Sequence, residues 1–230
     1  MSAPIVVPAI IPQSLEHLRE HIAALAGAVR EIQIDIVDGA LGGAPSWPFV
    51  GTADTADVRA RIGELCTAVP AGITFELDLM IAHPSATLPF WLAQKPAGVV
   101  FHIEGFVDDA EVSPALALCA SAGARAILAA GNATPLPRLL ALLPPADGVE
   151  CMGIAAIGRQ GNPFDERVLA RIRALRERLP TLSISVDGSV NERTIPALKA
   201  AGANRFVVGS AIFDAEDPAG AYTRLCELIS

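Results

Sequence analysis

EIQIDIVDG, residues 31–39, is patterned as a buried strand and yet carries Asp35 and Asp38 among Ile32, Ile34, Ile36 and Val37. Strand residues two apart face the same side, so Gln33 and Asp35 look one way and the three isoleucines the other. A strand with so little solvated character belongs to a parallel sheet covered on both faces. An unpaired carboxylate is costly to take out of water, so a strand that keeps one is expected to have a use for it at its exposed end.

Outward from this stretch, short β-branched runs alternate with amphipathic segments along the whole chain. The strand-like runs cover residues 5–11, 31–37, 73–81, 98–104, 125–130, 149–156, 182–188 and 205–211. Helix-like segments lie between them at 14–27, 55–69, 84–94, 111–123, 135–143, 166–179 and 191–203, with a last one at 218–229. Eight βα units of this length predict a single (β/α)₈ TIM barrel over residues 1–230, with functional groups at the C-terminal ends of the strands. A doubly wound open sheet is the structural alternative, but it calls for a glycine-rich turn after the first strand. That turn reads IIPQS, residues 10–14, and has no glycine.

Composition narrows the function classes. The chain has 230 residues, 52% of them hydrophobic, and a formal charge of -8. The mean hydropathy is +0.44 and the pI about 5.0. Without a cluster of Lys or Arg there is no electrostatic footprint for nucleic acid or an anionic membrane. The N-terminal MSAPIVVPAII lacks a basic flank and is broken by Pro4 and Pro8, and no apolar run approaches the roughly 20 residues of a bilayer span. A cytoplasmic protein with a small-molecule partner is therefore expected. Cys66, Cys119, Cys151 and Cys226 are scattered without CxxC spacing, which predicts reduced core residues, not a zinc site or a disulfide framework.

Several strands repeat the device of the second: Glu76 and Asp78 in the third, His102 and Glu104 in the fourth, and Asp187 at the end of the seventh. Carboxylates converging on one barrel mouth cannot all stay ionised and unpaired, so they demand a cation, shared protons or a charged substrate. Asp35 and Asp187 are read as functional. Asp38 and Glu76 are read as strand-end groups paired with arginine or backbone amides, and His102 fits either a core or a site position.

A second constellation lies late in the chain: Gly188 and Ser189 after the seventh strand, and Gly209 and Ser210 in the eighth. Barrels commonly bind a phosphate at these loops, where glycines let backbone N–H groups approach an anion. The loop IGRQGNPF, residues 157–164, adds Arg159 as a residue that could close over it.

At these residues the sequence resembles the ribulose-phosphate 3-epimerase family, nearly from end to end. The resemblance is carried by VPAII, QIDIVDG, LDLMI, FHIEG and VDGSVNERTIPALKAAGANRFVVGSAIF, the last being the most specific. It implies a barrel that moves a proton on and off the carbon beside a ketose carbonyl, with two Asp residues on opposite faces of an enediolate and a divalent metal at the oxyanion. Asp35 and Asp187 fall on those acid/base and metal-ligand positions, Met80 and Met152 on pocket methionines, and Gly188, Gly209 and Ser210 on the phosphate grip. The departures are Gln33 and Asp78 in place of two metal-binding histidines, Ala9 for a serine, Val37 for a methionine, and AAIGRQG for a glycine-rich loop.

The implied metal set becomes Gln33, Asp35, Asp78 and Asp187. All its donors are oxygens, which suits Mg²⁺ or Mn²⁺ over Zn²⁺, with a metal-free site as the alternative. The expected activity is an epimerase-like isomerisation of a phosphorylated ketose, with Ala9, Met80, His102 and Met152 around the pocket. A sugar-phosphate-binding barrel without turnover is the alternative. A decarboxylase or aldolase ranks lower, since Lys95 and Lys199 both fall in helix-like segments. A homo-oligomer is a further expectation, with Phe90 and Trp91 as candidate contacts.

Overall fold

Each apolar run becomes a strand because its neighbours on both sides are strands of the same kind. The computed structural model describes residues 3–25, 27–52, 55–155 and 162–230. Its strands are β1 (Ile5–Ile10), β2 (Glu31–Val37), β3 (Thr74–Met80), β4 (Gly98–His102), β5 (Arg125–Ala130), β6 (Gly148–Met152), β7 (Ser183–Asp187) and β8 (Arg205–Val208). All pair in parallel and in sequence order, and β8 returns to β1 to close a (β/α)₈ TIM barrel. The helices are α1 (Leu15–Ala24), α2 (Thr55–Ile62), α3 (Pro84–Leu92), α4 (Val112–Ala122), α5 (Leu136–Leu142), α6 (Arg167–Arg178), α7 (Ile195–Ala201), α8 (Ser210–Phe213) and α9 (Pro218–Ile229). Among the described residues no helix is long and apolar enough to cross a membrane.

Local chemistry starts and stops these elements. Ser14 caps α1 by accepting the His17 N–H at 3.0 Å, and Asp217 caps α9 by accepting the Gly220 N–H at 3.0 Å. The segment 55–69 does not run as one helix: α2 ends at Ile62, and beyond Gly63 the chain tightens to a 3₁₀ turn at Leu65–Thr67. Strand ends follow the ladder. The last residue of β8 with a partner is Val208, opposite Pro8, so Gly209 and Ser210 leave the strand and begin α8. Likewise β4 stops at His102, and Ile103–Gly105 turn away in a 3₁₀ helix that carries Glu104.

Strand parity divides the core in two. Residues of one parity, such as Ile32, Ile34, Ile36, Leu77, Leu79 and Phe101, pack outward under the helices in one large apolar cluster. Inside the barrel, among the described residues, the apolar groups form two small patches, Val7, Ala9 and Val207, and Val100, Ile127 and Ala129. Polar side chains fill the remainder. At the N-terminal floor, Arg205 reaches Glu76 at 2.7 Å and Glu31 at 3.2 Å, while Arg125 pairs with Glu31 and lies 3.3 Å from Glu76. Glu76 is thus a structural ion-pair partner, one inward layer below Asp78 on β3.

Two expectations about side chains need correction. Trp91 is fully buried, its indole N–H donating to Thr87 Oγ1 at 3.1 Å, so it offers nothing to a second copy; Phe90 lies under the Arg59 guanidinium. None of the four cysteines is in a disulfide, but only Cys119 and Cys151 are buried, and Cys66 is exposed on the turn after α2.

Candidate active site

The C-terminal ends of the strands enclose a cavity of about 310 Å³ whose walls include Ala9, Asp35, Met80, Asp187, Ser189 and Ser210. Asp35 is held on β2 in register with Asp78 on β3. Its Oδ1 accepts the Gln33 amide at 3.1 Å. Behind it, buried Ser46 donates to the Asp35 carbonyl at 3.1 Å and accepts the Val37 N–H at 2.9 Å, fixing the loop after β2 to the strand. Asp38 faces away from the cavity. Its oxygens accept from the N–H groups of Ala40 at 2.7 Å and Ala82 at 2.8 Å, so it ties adjacent loops together.

Asp187 ends β7 in register with Met152 of β6. Its Oδ1 accepts the Gly188 N–H at 2.8 Å, so that amide is directed at the carboxylate. The loop around it is tightly made: the Gly153 N–H donates to the Asp187 carbonyl at 2.6 Å, and a Cβ on Gly153 would strike the Gly188 carbonyl oxygen. Gly188 and Ser189 both have positive φ, 93° and 53°, which for serine is a strained conformation. It is held by the Ser189 hydroxyl donating to the Asn162 carbonyl, and by Asn191 and Thr194 donating to the Ser189 carbonyl at 3.0 and 2.8 Å. Gly209 and Ser210 complete the rim from the other side. Arg159, expected to close over this place, lies outside the described residues.

Beneath the cavity the interior is acidic. Asp78 is fully buried and meets His102 Nε2 at 3.0 Å from Oδ1 and 3.3 Å from Oδ2. Glu104, expected beside His102, instead accepts from the Gly131 N–H at 3.0 Å and from the Thr134 hydroxyl, bracing the loop after β5. A residue that strand reasoning passed over joins the group: Glu150 on β6, fully buried, with ligand-type oxygens of Asp78, Glu150 and Asp187 all within 4.8 Å of one another. The signal was present in VECM, where Glu150 and Met152 share inward parity while Val149 and Cys151 pack outward.

So many like charges in a closed space must perturb one another. Burial, then the Asp187 and Asp78 charges, push the Asp35 carboxyl well above the usual carboxylate range. Burial and the Asp78 charge push Asp187 up to about 7, against the pull of the Gly188 N–H and His102. Burial pushes the His102 imidazole down, but the Asp78 charge and hydrogen bond outweigh it and raise the group on balance. All-oxygen donors with buried acceptors left over, among them Gln33 Oε1 and both Glu150 oxygens, fit a hard divalent cation.

These weakened acids have a measurable consequence for cation-free protein. A carboxylate with a folded-state pKa above its unfolded value binds a proton in the native state that the unfolded chain has released, so stability falls as pH rises between the two values. For Asp187 that window runs from 3.8 to about 7. In the presence of a chelator, the urea midpoint should therefore drop between pH 5 and pH 7.5, and Asp187→Asn should flatten the slope. A midpoint that climbs across this interval would contradict a protonated interior.

The arrangement defines the class: a (β/α)₈ barrel with a buried acidic cluster toward the C-terminal ends of its strands. Residues 5–213 match the model of the ribulose-phosphate 3 epimerase family, and the chain belongs to it. Ribulose-phosphate 3-epimerase of Mycobacterium bovis is 30% identical over 226 residues, spanning 96% of this chain and 91% of its own. That of Eremothecium gossypii is 30% identical over 224 residues, spanning 94% and 89%. In backbone, a 3-hexulose-6-phosphate synthase superposes with a TM-score of 0.73 at 22% identity, covering 98% of this chain and all of its own, a likeness of fold.

Proposed function

We propose that the protein is an isomerase of phosphorylated ketoses, epimerising the carbon beside the carbonyl through an enediolate. The observation that carries this reading is that Asp35 and Asp187, on strands far apart in sequence, line one cavity and are both held as unusually weak acids. Inversion at carbon requires one ionised carboxyl to take the C–H proton and one protonated carboxyl to return a proton on the opposite face. A like-charged buried pair is suited to sharing a single proton in this way. Asp187, pushed up to about 7, has an accessible ionised form near neutral pH, and burial with the neighbouring charges of Asp187 and Asp78 disfavours ionisation of Asp35. After turnover the protonation states are exchanged, and the reverse reaction or proton exchange with solvent restores them.

A divalent cation bound among Gln33, Asp35, Asp78 and Asp187 would supply positive charge for the enediolate oxygen. The substrate phosphate is assigned to the rim built by Gly188, Ser189, Gly209 and Ser210, with Arg159 as a further contact. Because the Gly188 amide is given to Asp187, Gly188 contributes close approach there more than a hydrogen bond. Ala9 and Met80 line the pocket; His102 and Met152, also expected there, are buried and support it from outside its lining, His102 through Asp78. A lysine-dependent decarboxylase is disfavoured: Lys199 is spent on the carbonyls of Ile229 and Ser230 at 2.8 and 3.1 Å, and Lys95 lies in the turn before β4, at the opposite end of the barrel.

The test is a panel of ketopentose and ketohexose phosphates incubated in D₂O, with and without Mg²⁺ or Mn²⁺. Deuterium should enter at the carbon beside the carbonyl of at least one phosphorylated ketose, and the corresponding unphosphorylated ketoses, run as controls, should stay unlabelled. A panel that remains unlabelled throughout would leave a binding-only barrel as the better reading.

A further inference from the structure

Glu150 is a buried acid without a counterpart. Val149 and Cys151 pack outward, which turns its carboxyl into the barrel, in register with Ala129 of β5 and Ser185 of β7. It is 0% exposed, and among the described residues neither of its oxygens has a hydrogen-bond partner. The ionisable groups that act on it most, Asp78, Asp187, Glu76 and Asp35, share its sign. Among the described residues, Arg125 and Arg205 on the inward side of their strands are committed to Glu31 and Glu76 at the floor. A carboxyl in this position is costly to the fold unless something positive occupies the space it faces.

The spacing says what that would be. Three oxygens bound at about 2.1 to 2.5 Å from a common centre lie no more than about 5 Å apart, and those of Asp78, Glu150 and Asp187 lie within 4.8 Å of one another. His102 holds Asp78 at 3.0 Å, as outer partners orient carboxylate ligands. Gln33 Oε1 is another fully buried acceptor without a partner. We propose that Asp78, Glu150 and Asp187 form a divalent-cation site of the Mg²⁺ or Mn²⁺ type, in which Glu150 from β6 supplies a ligand where Gln33 and Asp78 stand in place of imidazoles. This deepens the reading of an oxygen-ligated cation beside the acid/base pair, and it does not depend on which sugar phosphate is turned over.

The experiment strips the whole protein with a chelator, removes the chelator, and titrates with Mn²⁺. Free Mn²⁺ is followed by its paramagnetic resonance signal, and thermal unfolding is recorded with and without the ion. Wild type should bind Mn²⁺ and melt higher with it. Glu150→Gln, close in shape, should bind about tenfold more weakly or worse, since ligand charge sets affinity in such sites. Glu150→Leu should lose the Mn²⁺-induced rise in Tm, yet melt above wild type in chelator, because the unpartnered acid is gone. Equal Mn²⁺ affinity in wild type and Glu150→Gln overturns the inference, as does a wild type that binds no Mn²⁺. Deuterium exchange into a ketose phosphate, measured both in chelator and with Mn²⁺ added, separates the two claims. Exchange without any Mn²⁺ binding removes the cation site and keeps the proton-transfer function; Mn²⁺ binding that depends on Glu150, with no exchange in either condition, does the reverse.

Discussion

Asp187→Asn should abolish epimerisation, lowering kcat by about 10² to 10⁴ with little change in the fold, because an amide can neither take nor return the proton on its face of the enediolate. Asp35→Asn should be equally damaging to epimerisation. The two variants should differ in exchange chemistry. With Asp35 replaced, Asp187, which titrates near neutrality at about 7, can still take a proton on its own face and return it there, so D₂O labels the substrate without inverting it. Such labelling without inversion is difficult to obtain unless each carboxyl serves one face. Mass spectrometry of recovered substrate, alongside optical assay of the epimer, reads both events. Near wild-type inversion in either variant would remove that residue from the acid/base pair.

Arg205→Met should be the most destabilising of the single substitutions considered, by about 3 to 5 kcal/mol, since removing one partner of a buried pair strands the other charge. Glu76 is 1% exposed at its side chain and pairs with Arg205 at 2.7 Å; its other cation, Arg125, is 41% exposed and 3.3 Å away. The same logic predicts rescue: Arg205→Met with Glu76→Gln removes the stranded charge and should recover much of the loss. Urea unfolding of the two variants checks this, and a double variant no more stable than the single one would show that packing, not charge, carries the effect. The floor and the mouth thus handle the same expense differently. At the floor, glutamates face arginines; at the mouth and just beneath it, Asp78, Glu150 and Asp187 stand close to one another, with His102 as the partner of Asp78.

The alternation of eight apolar runs with amphipathic segments, and the inward parity of Gln33, Asp35, Glu76, Asp78 and His102, could be read from the chain because both follow from local periodicities of 2.0 and 3.6 residues. The barrel itself, with Asp35 at its mouth and Asp187 ending β7, was legible on that basis. What the chain did not disclose was which inward group meets which. That depends on the stagger of eight strands closing on themselves, a property of the whole sheet. Closure set Glu76 against Arg205, 129 residues away, brought Asp78 to His102 across 24 residues, and gathered Asp78, Glu150 and Asp187 from three strands. It also decided where strands end. VVGSA continues the apolar pattern of β8, yet the ladder to β7 stops at Val207 and that to β1 at Val208, and Gly209 and Ser210 turn into a helix. Periodicity assigns a side chain to a face, whereas register around a closed barrel decides its partner, and the chemistry of buried carboxyls is set by the partner.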